Sequence, residues 1–429
     1  MEKCIAVIDM KAFYAFVECV ERNVNPFTTP LVVCDTTRGE GTIVLSVSPY
    51  LKEMGVPSRC RKRELPKMDN MIFATPQMEK YVKKSAEVVS IVLSFVGEDD
   101  IHVYSIDELF VNLGPYLKMY NCSPKQLVLK MQQAIYKQTK LISTAGIGEN
   151  MLMAKLALDL DGKKTPPYIA QWTKDDIKTK LWPISPLSKM WGISRGYEKK
   201  LNSYGIYTIG QLANTPKEFL KEKFGVMGEQ LHEHANGIDN TNIRDKYIPE
   251  ENSFSLGQVL HEDYKPTDAK LLIREMNDDL SSRLRSHGEK TQVVSLYIQF
   301  DYETGGGFAH QAKLDFPTDD TDLLLDDLYR VFDKYIDGHL TRGIHICYGS
   351  LVKNNYDQLS LFEDEKTQAD RKALQHVLDE VHNKYGQNSL LRGSSLLEKS
   401  TAKERHNQIG GHKRWVIVEW KNGLHLLRW

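Results

Sequence analysis

The run Cys4-Ile5-Ala6-Val7-Ile8 is continuously apolar and closes on Asp9, the pattern of a strand buried on both faces. A helix is predicted from Lys11 to about Arg22, ended by Pro26 and Pro30. Leu31-Val32-Val33-Cys34 reads as a second buried strand, and Thr36 to Gly41 as a turn. Thr42 to Val47 is predicted as a strand, Pro49 to Met54 as a short helix closed by Gly55, and Lys62 to Lys67 as a basic loop. From about Gln77 to Phe95 an apolar stripe at Val82, Ala86, Val89 and Leu93 has helical spacing. His102 to Ser105 and Leu109 to Leu113 read as two strands around Ile106-Asp107-Glu108. A helix from about Ser123 to Thr139, a strand Ser143 to Gly148 and a helix from about Asn150 to Leu160 complete a mixed α/β unit.

Residues 170–240 read as all-helical. Beyond them, strand candidates Ser253 to Leu260, Gln292 to Phe300, His310 to Phe316 and Ile344 to Val352 alternate with helices at about 268–286 and 320–335. That β-α-β-β-α-β order predicts split βαβ units. Residues 354–429 are polar until Trp415 to Trp429, and no repeat is evident. A chain of 429 residues exceeds one ordinary core, so several domains are expected. No apolar run reaches the roughly 18–20 residues of a spanning helix, and an acid interrupts the N-terminus before any signal-peptide core, which excludes a membrane protein and argues against secretion. The six cysteines form no C-x-x-C pair, which fits a reducing cytoplasm better than a disulfide framework. Net charge is −1, but it is uneven: +5 over residues 1–249, −8 over 250–353 and +2 over 354–429. The mean field therefore neither supports nor excludes a polyanionic partner.

The chemistry begins with acids at strand ends. Asp9 closes one apolar strand and Asp107-Glu108 sit between two others. Carboxylates so placed suit Mg²⁺, which prefers oxygen donors and shares them with substrate phosphates. Neighbours in a regular strand face opposite sides, so Asp107 and Glu108 share one site only where the backbone bends. On chemistry alone they are equally read as solvated turn acids.

Three segments bear on that choice. Asp9-Met10-Lys11-Ala12-Phe13-Tyr14-Ala15-Phe16-Val17-Glu18 resembles D-x-x-A-F-Y-A-S-x-E; Tyr104-Ser105-Ile106-Asp107-Glu108 resembles the S-I-D-E motif; Gly146-Ile147-Gly148-Glu149-Asn150 through Ala154-Lys155 resembles G-I-[SG]-x-N-x-x-x-A-K. In this order and spacing they resemble the Y-family translesion DNA polymerases, UmuC-type (ImpB/MucB/SamB) branch, as in Gram-positive bacteria. The resemblance implies that Asp9, Asp107, Glu108 and the Met10 carbonyl hold two Mg²⁺ ions. It further implies that Tyr14 is a steric gate against the 2′-hydroxyl with Phe13 beside it, and that Lys155 meets the triphosphate of a dNTP. By its spacing from Gly55, Lys52 takes the place of a family triphosphate-contacting arginine, Ser46 falls where a hydroxyl is expected there, and Pro49 displaces a family tyrosine whose contact is then either missing or moved to Tyr50.

The implied fold is α+β and multi-domain, a right-hand polymerase: palm 1–30 and 76–169, fingers 31–75, thumb 170–240, little finger 250–353 and tail 354–429. Gly192, Ser194 and Gly196 resemble a helix-hairpin-helix, whose backbone N–H groups grip primer-template DNA without reading sequence. The acid-rich helix carrying Asp319, Asp320, Asp322, Asp326 and Asp327 is expected to face solvent. Gln358-Leu359-Ser360-Leu361-Phe362 resembles the bacterial sliding-clamp pentapeptide, with Gln358, Leu359, Leu361 and Phe362 as anchors; accessory mutasome subunits are further implied partners. Two rivals stand beside a polymerase: a non-catalytic DNA- or clamp-binding factor on the same scaffold, and a metal-dependent nuclease.

Overall fold

A computed structural model describes residues 4–245, 252–354 and 364–414. Two units meet at residues 247/248 in the chain. The first opens with β1 (Ile5–Met10), α1 (Phe13–Glu21), β2 (Leu31–Val33), β3 (Ser46–Val47), α2 (Pro49–Glu53), β4 (Ile72–Ala74) and α3 (Met78–Leu93). It continues through β5 (Ile101–Val103), β6 (Glu108–Asn112), α4 (Gly114–Met119), α5 (Pro124–Thr139), β7 (Ser143–Gly148), α6 (Met151–Ala157) and β8 (Ile169–Gln171). A five-stranded sheet has the order β5-β6-β1-β7-β8, with β1 antiparallel to both neighbours. The apolar run of β1 takes this central place because Ala6, Val7 and Ile8 lose all exposure to flanking elements.

Gly146 lets α6 lie directly on β7: a Cβ there would stand 2.1 Å from the Ala154 carbonyl oxygen. Asn150 caps that helix, its Oδ1 accepting from Met153 N at 2.8 Å. The glycines and Asn of the third motif thus dock one helix, and its lysine, at a fixed height on the sheet.

The second sheet, β3-β2-β4, is smaller than the hydrophobic pattern suggests at one end and larger at the other. Of Thr42 to Val47 only Ser46–Val47 pairs as a strand, with one isolated bridge at Ile43–Arg61. Ile72–Ala74, too short to show a period, adds a parallel strand. The core stripe of α3 is also displaced from expectation. Met78, Tyr81, Val88 and Val92 are buried, whereas Val82 and Leu93 are exposed. Two adjacent apolar stripes share the helical period here, and the one carrying the large Tyr81 ring takes the core.

Four helices follow: α7 (Arg195–Asn202), α8 (Ile209–Asn214), α9 (Lys217–Phe224) and α10 (Val226–Ala235). Gly192 has φ +90°, a left-handed turn that favours glycine, and Ser194 caps α7 by accepting from Tyr197 N at 3.3 Å. Gly192, Ser194 and Gly196 are all exposed.

The second unit comprises β9 (Phe254–Tyr264), α11 (Pro266–Ser286), β10 (Glu289–Phe300), β11 (Gly307–Thr318), α12 (Thr321–Tyr335) and β12 (Thr341–Lys353). The all-antiparallel order β11-β10-β12-β9 makes both βαβ units split, each straddling a strand of the other. Beyond it, α13 (Glu365–Tyr385) and α14 (Ala402–Arg405) belong to a C-terminal segment that returns to this unit.

That segment corrects the expectation of a solvent-facing acidic helix in part: Asp322 and Asp326 of α12 are exposed as expected, whereas the acids just before the helix are covered. Asp319 and Asp320, at the start of α12, bind Asn354 and Arg371. On α11, Asp278 takes Arg392 bidentately and Asp279 takes Arg405 and His406. Three of these four acids are thus met by arginines further along the chain. The pentapeptide Gln358 to Phe362 lies outside the described residues.

Candidate active site

A cleft of about 620 Å³ opens where β1 runs into α1, below the fingers segment. Asp9 occupies the penultimate position of β1, with Glu108 opposite it on β6 and Thr144 on β7. Directly paired residues share a sheet face, so Asp9 and Glu108 lie on the side covered by α6. Asp107 precedes β6 in the bend that the sequence requires. Tyr104 N and Ser105 N both donate to Glu108 O, and Asp107 O accepts from Met10 N at 2.9 Å. Ser105 Oγ holds the Asp107 carboxylate at 2.8 Å. Asp9, Met10 and Asp107 line the cleft together.

Glu108 does not face it. Its Oε2 accepts from Lys155 Nζ at 2.8 Å, both side chains 8% exposed, and Lys155 also meets Asp159 at 3.4 Å. Lys155 is therefore not the cleft cation that the motif suggests. That place belongs to Lys163, which touches Asp159 at 2.9 Å and Asp9 at 3.2 Å. The spacing of Lys155, Asp159 and Lys163, four residues apart each, was the available signal. The π-helical turn Leu158–Gly162 lies between them.

Lys11 and Lys52 complete a ring of cations lining the cleft. Burial pulls both ammonium pKa values down, against the raising effect of Asp9. Burial opposes the charge of Lys163 as well, but the Asp9 and Asp159 carboxylates outweigh it and its pKa is raised. Burial raises Asp9, with Asp107 adding to the effect and Lys163 opposing it. Burial likewise raises Glu108 against the pull of Lys155.

Tyr14 forms the other wall. Its ring stacks on Tyr81, centroids 4.5 Å apart, with Phe13 at 5.7 Å. Tyr81 is fully buried and donates its hydroxyl to Glu18 Oε1 at 2.8 Å. Glu18 also accepts from Gln77 and Arg22. The final acid of the first motif thus anchors the ring behind Tyr14, a contact that the displaced α3 stripe concealed. Ser46 lines the cleft with its hydroxyl donating to Ala12 O at 3.4 Å. Pro49 lines it too, while Tyr50 packs into the fingers core instead of replacing a phosphate contact.

Among the described residues, no three His, Cys, Asp or Glu side chains stand ready-grouped to hold a metal ion. The donor set nonetheless fits a divalent cation. Glu108 Oε1 is buried without a hydrogen-bond partner. Burial raises the pKa of both Asp9 and Glu108 against the pull of their lysine partners, and a bound cation would favour their ionised forms. Turning Glu108 from Lys155 toward Asp9, on the same sheet face, would bring the acids together.

Among the described residues no helix is long and apolar enough to cross a membrane. The impB/mucB/samB family model matches residues 8–159, the IMS family HHH motif 174–206, and the impB/mucB/samB family C-terminal domain 251–361. A putative UV-damage repair protein, UvrX, of Bacillus subtilis strain 168 is 38% identical over 96% of this chain and 98% of its own length. DNA polymerase IV 2 of the same organism is 32% identical over 96% and 99%. A solved Y-family DNA polymerase chimera shares the fold at TM-score 0.65 and 16% identity, over 82% of this chain and all of its own. With its three motifs in place and relatives matched almost end to end, the chain belongs to the impB/mucB/samB family, the UmuC-type branch of the Y-family DNA polymerases.

Proposed function

We propose that this chain is a DNA-directed DNA polymerase that performs translesion synthesis, joining a dNTP to a primer 3′-hydroxyl. The O3′–Pα bond forms, the bond from Pα to the bridging oxygen breaks, pyrophosphate leaves and the hydroxyl proton is lost. The observation that carries this reading is one cleft holding both halves of a metal–triphosphate site: Asp9 and Asp107, faced by Lys11, Lys52 and Lys163. Y-family polymerases are metal-dependent; two Mg²⁺ ions held by Asp9, Asp107, Glu108 and the Met10 carbonyl would polarise the attacking hydroxyl and neutralise the departing charge. The chain's own work is positioning and charge neutralisation. Lys11, Lys52 and Lys163 receive phosphate oxygens, and Ser46 offers a hydroxyl beside them. Asp9 and Asp107 fix the reacting end, and Tyr14, braced by Tyr81 and Phe13, walls off the 2′ position.

The domain assignment follows: palm 1–30 and 76–169, fingers 31–75, thumb 170–240, little finger 250–353, tail 354–429. Gly192, Ser194 and Gly196 present a turn to the DNA backbone, and the little finger holds the duplex. A cytoplasmic location suits these partners. A nuclease needs the acids but has no use for a tyrosine wall, and a non-catalytic factor has no use for the acids. Primer extension on damaged and undamaged templates tests the reading, with Tyr14→Ala as its sharpest probe. The variant is expected to admit ribonucleotides about tenfold or more better relative to dNTPs, the scale of one steric contact. Unchanged sugar discrimination in the folded variant overturns the gate, and shortened DNA without pyrophosphate overturns the polymerase.

The sliding clamp is the partner proposed for Gln358 to Phe362, with accessory mutasome subunits as further partners. Deleting the pentapeptide should shorten products only when clamp is present, because tethering acts through local concentration. Equal loss without clamp overturns the assignment.

A further inference from the structure

Two cations of the cleft are held by different means. Lys163 sits between the carboxylates of Asp9 and Asp159, which offset its charge. Lys11 has no carboxylate within ion-pair distance among the described residues. Its Nζ lies instead over the ring of Tyr168, 4.4 Å from the centroid. The sheet brings the two side chains together. Lys11 follows Met10, the last residue of β1, which pairs with Ser143 of β7. Tyr168 precedes Ile169, the first residue of β8, which pairs with Ala145 of β7. Because β1 runs antiparallel to β7 and β8 runs parallel to it, Lys11 and Tyr168 flank the start of β7 at the same end of the sheet.

Tyr168 adopts φ +61°, a left-handed conformation that is costly for a bulky residue. Both of its backbone polar groups are committed: N donates to Thr165 O at 2.8 Å, and O accepts from Ala145 N at 2.7 Å. These bonds fix the strained residue, and with it the ring beneath Lys11. Strain of this kind persists only where the surroundings impose it, and it gathers at functional sites. Lys11 lines the cleft and Tyr168 does not, so the ring acts on the cleft through the lysine.

An aromatic face attracts an ammonium through its quadrupole but carries no net charge. A carboxylate would orient Lys11 and neutralise it. The ring orients it and leaves its whole charge for an anion entering the cleft, together with the N–H donors turned away from the face.

We propose that Tyr168 is a positioning residue for nucleotide binding, its ring holding Lys11 as a preset, unneutralised cation for the triphosphate. The inference deepens the polymerase reading and rests on it. It gives the strained tyrosine a task and separates Lys11 from Lys163, which must be drawn from two carboxylates before it can serve a phosphate.

The test is single-nucleotide insertion by the full chain. Binding of the same dNTP to the protein on a dideoxy-terminated primer-template is measured in parallel by calorimetry. Tyr168→Phe keeps the face and should match the wild type. Tyr168→Asn removes the face, and asparagine tolerates the left-handed backbone, so the thermal midpoint should hold. In that variant KM and the dissociation constant should both rise about fivefold, the scale of one exposed cation–π contact. Its kcat should stay within about twofold, because a preset contact acts equally on the bound and the reacting nucleotide. Lys11→Met should lose at least as much, and adding Tyr168→Asn to it should change nothing further. A tyrosine that only supports the fold would add its loss in either background. Wild-type affinity in Tyr168→Asn, additive losses in the double variant, a loss confined to kcat, or equal losses in Tyr168→Phe and Tyr168→Asn overturn the positioning role. Tyr168-dependent dNTP binding without primer extension keeps that role and overturns the polymerase reading. Extension that ignores Tyr168 overturns the role alone, and the absence of both overturns both.

Discussion

Asp9→Asn should lower primer extension by about 10³-fold or more while leaving the ion-free thermal midpoint equal to or above that of the wild type. The catalytic loss follows from removing a ligand whose ion supplies several kcal/mol of charge stabilisation in the transition state, at about 1.4 kcal/mol per tenfold. The stability gain follows from the raised pKa. Burial is its main cause, and Asp107 adds to it. A carboxyl whose folded pKa lies above its unfolded value costs stability once ionised, and the cost is relieved as pH falls through the raised value. Asparagine carries no such cost, and Lys163 keeps Asp159 as a partner. Glu108 is raised in the same direction, again by burial first. Protons and divalent ions therefore compete for both acids, and the acid limb of the rate profile should move to lower pH as Mg²⁺ is raised. A midpoint that falls by several degrees in Asp9→Asn would make the acid a structural ion-pair member. An acid limb indifferent to Mg²⁺ would separate it from the ion.

The sequence made the centre of the main sheet legible because β6, β1 and β7 are buried and their motif residues sit at their ends, whereas the half-exposed edge strand β8 fell in a stretch read as helical. β1 lies where a continuous apolar run meets Asp9, and β7 where Ser143 to Gly148 runs into its glycine turn. The bend that Asp107 and Glu108 need was visible as a requirement, and the double donation to Glu108 O supplies it. What periodicity could not separate were two neighbouring apolar stripes on α3, and with the wrong one Tyr81 went unseen behind Tyr14. Lys163 was hidden for a different reason: the motif ends at Lys155, and only the side-chain ladder through Asp159 carries the charge onward to the cleft. The charge total misled most. Acids of α11 and at the start of α12 and basic residues of the C-terminal segment, up to 127 positions apart in their hydrogen bonds, appear in sequence as an unexplained deficit and a polar tail.

Arg285→Ala should destabilise the second unit by about 3–5 kcal/mol, the cost of stranding one partner of a buried ion pair. Arg285 is 7% exposed and forks onto Asp379 of α13, with Nε to Oδ2 at 2.6 Å and Nη2 to Oδ1 at 3.0 Å. Its remaining donor, Nη1, reaches Asp319 O at 3.0 Å and Thr321 Oγ1 at 2.9 Å. One guanidinium therefore joins the end of α11, the start of α12 and the C-terminal helix. Alanine leaves a carboxylate, a carbonyl and a hydroxyl without that donor in a nearly dry place. Arg392→Ala is the internal control. It removes a bidentate pair to Asp278 of similar geometry, but Arg392 is 46% exposed, and such surface pairs contribute about 0–1 kcal/mol. Urea unfolding of the full chain should show the transition of residues 252–414 moving in Arg285→Ala and hardly moving in Arg392→Ala, with the first unit's transition in place. The double variant Arg285→Ala/Asp379→Ala should recover part of the loss, because it removes the stranded charge. Equal effects of the two arginines would mean that the C-terminal segment rests on the unit as a surface contact. A loss confined to Arg285, partly repaired by the double variant, makes residues 364–414 a structural part of the little finger, so that the proposed clamp pentapeptide lies between two segments of one folded body.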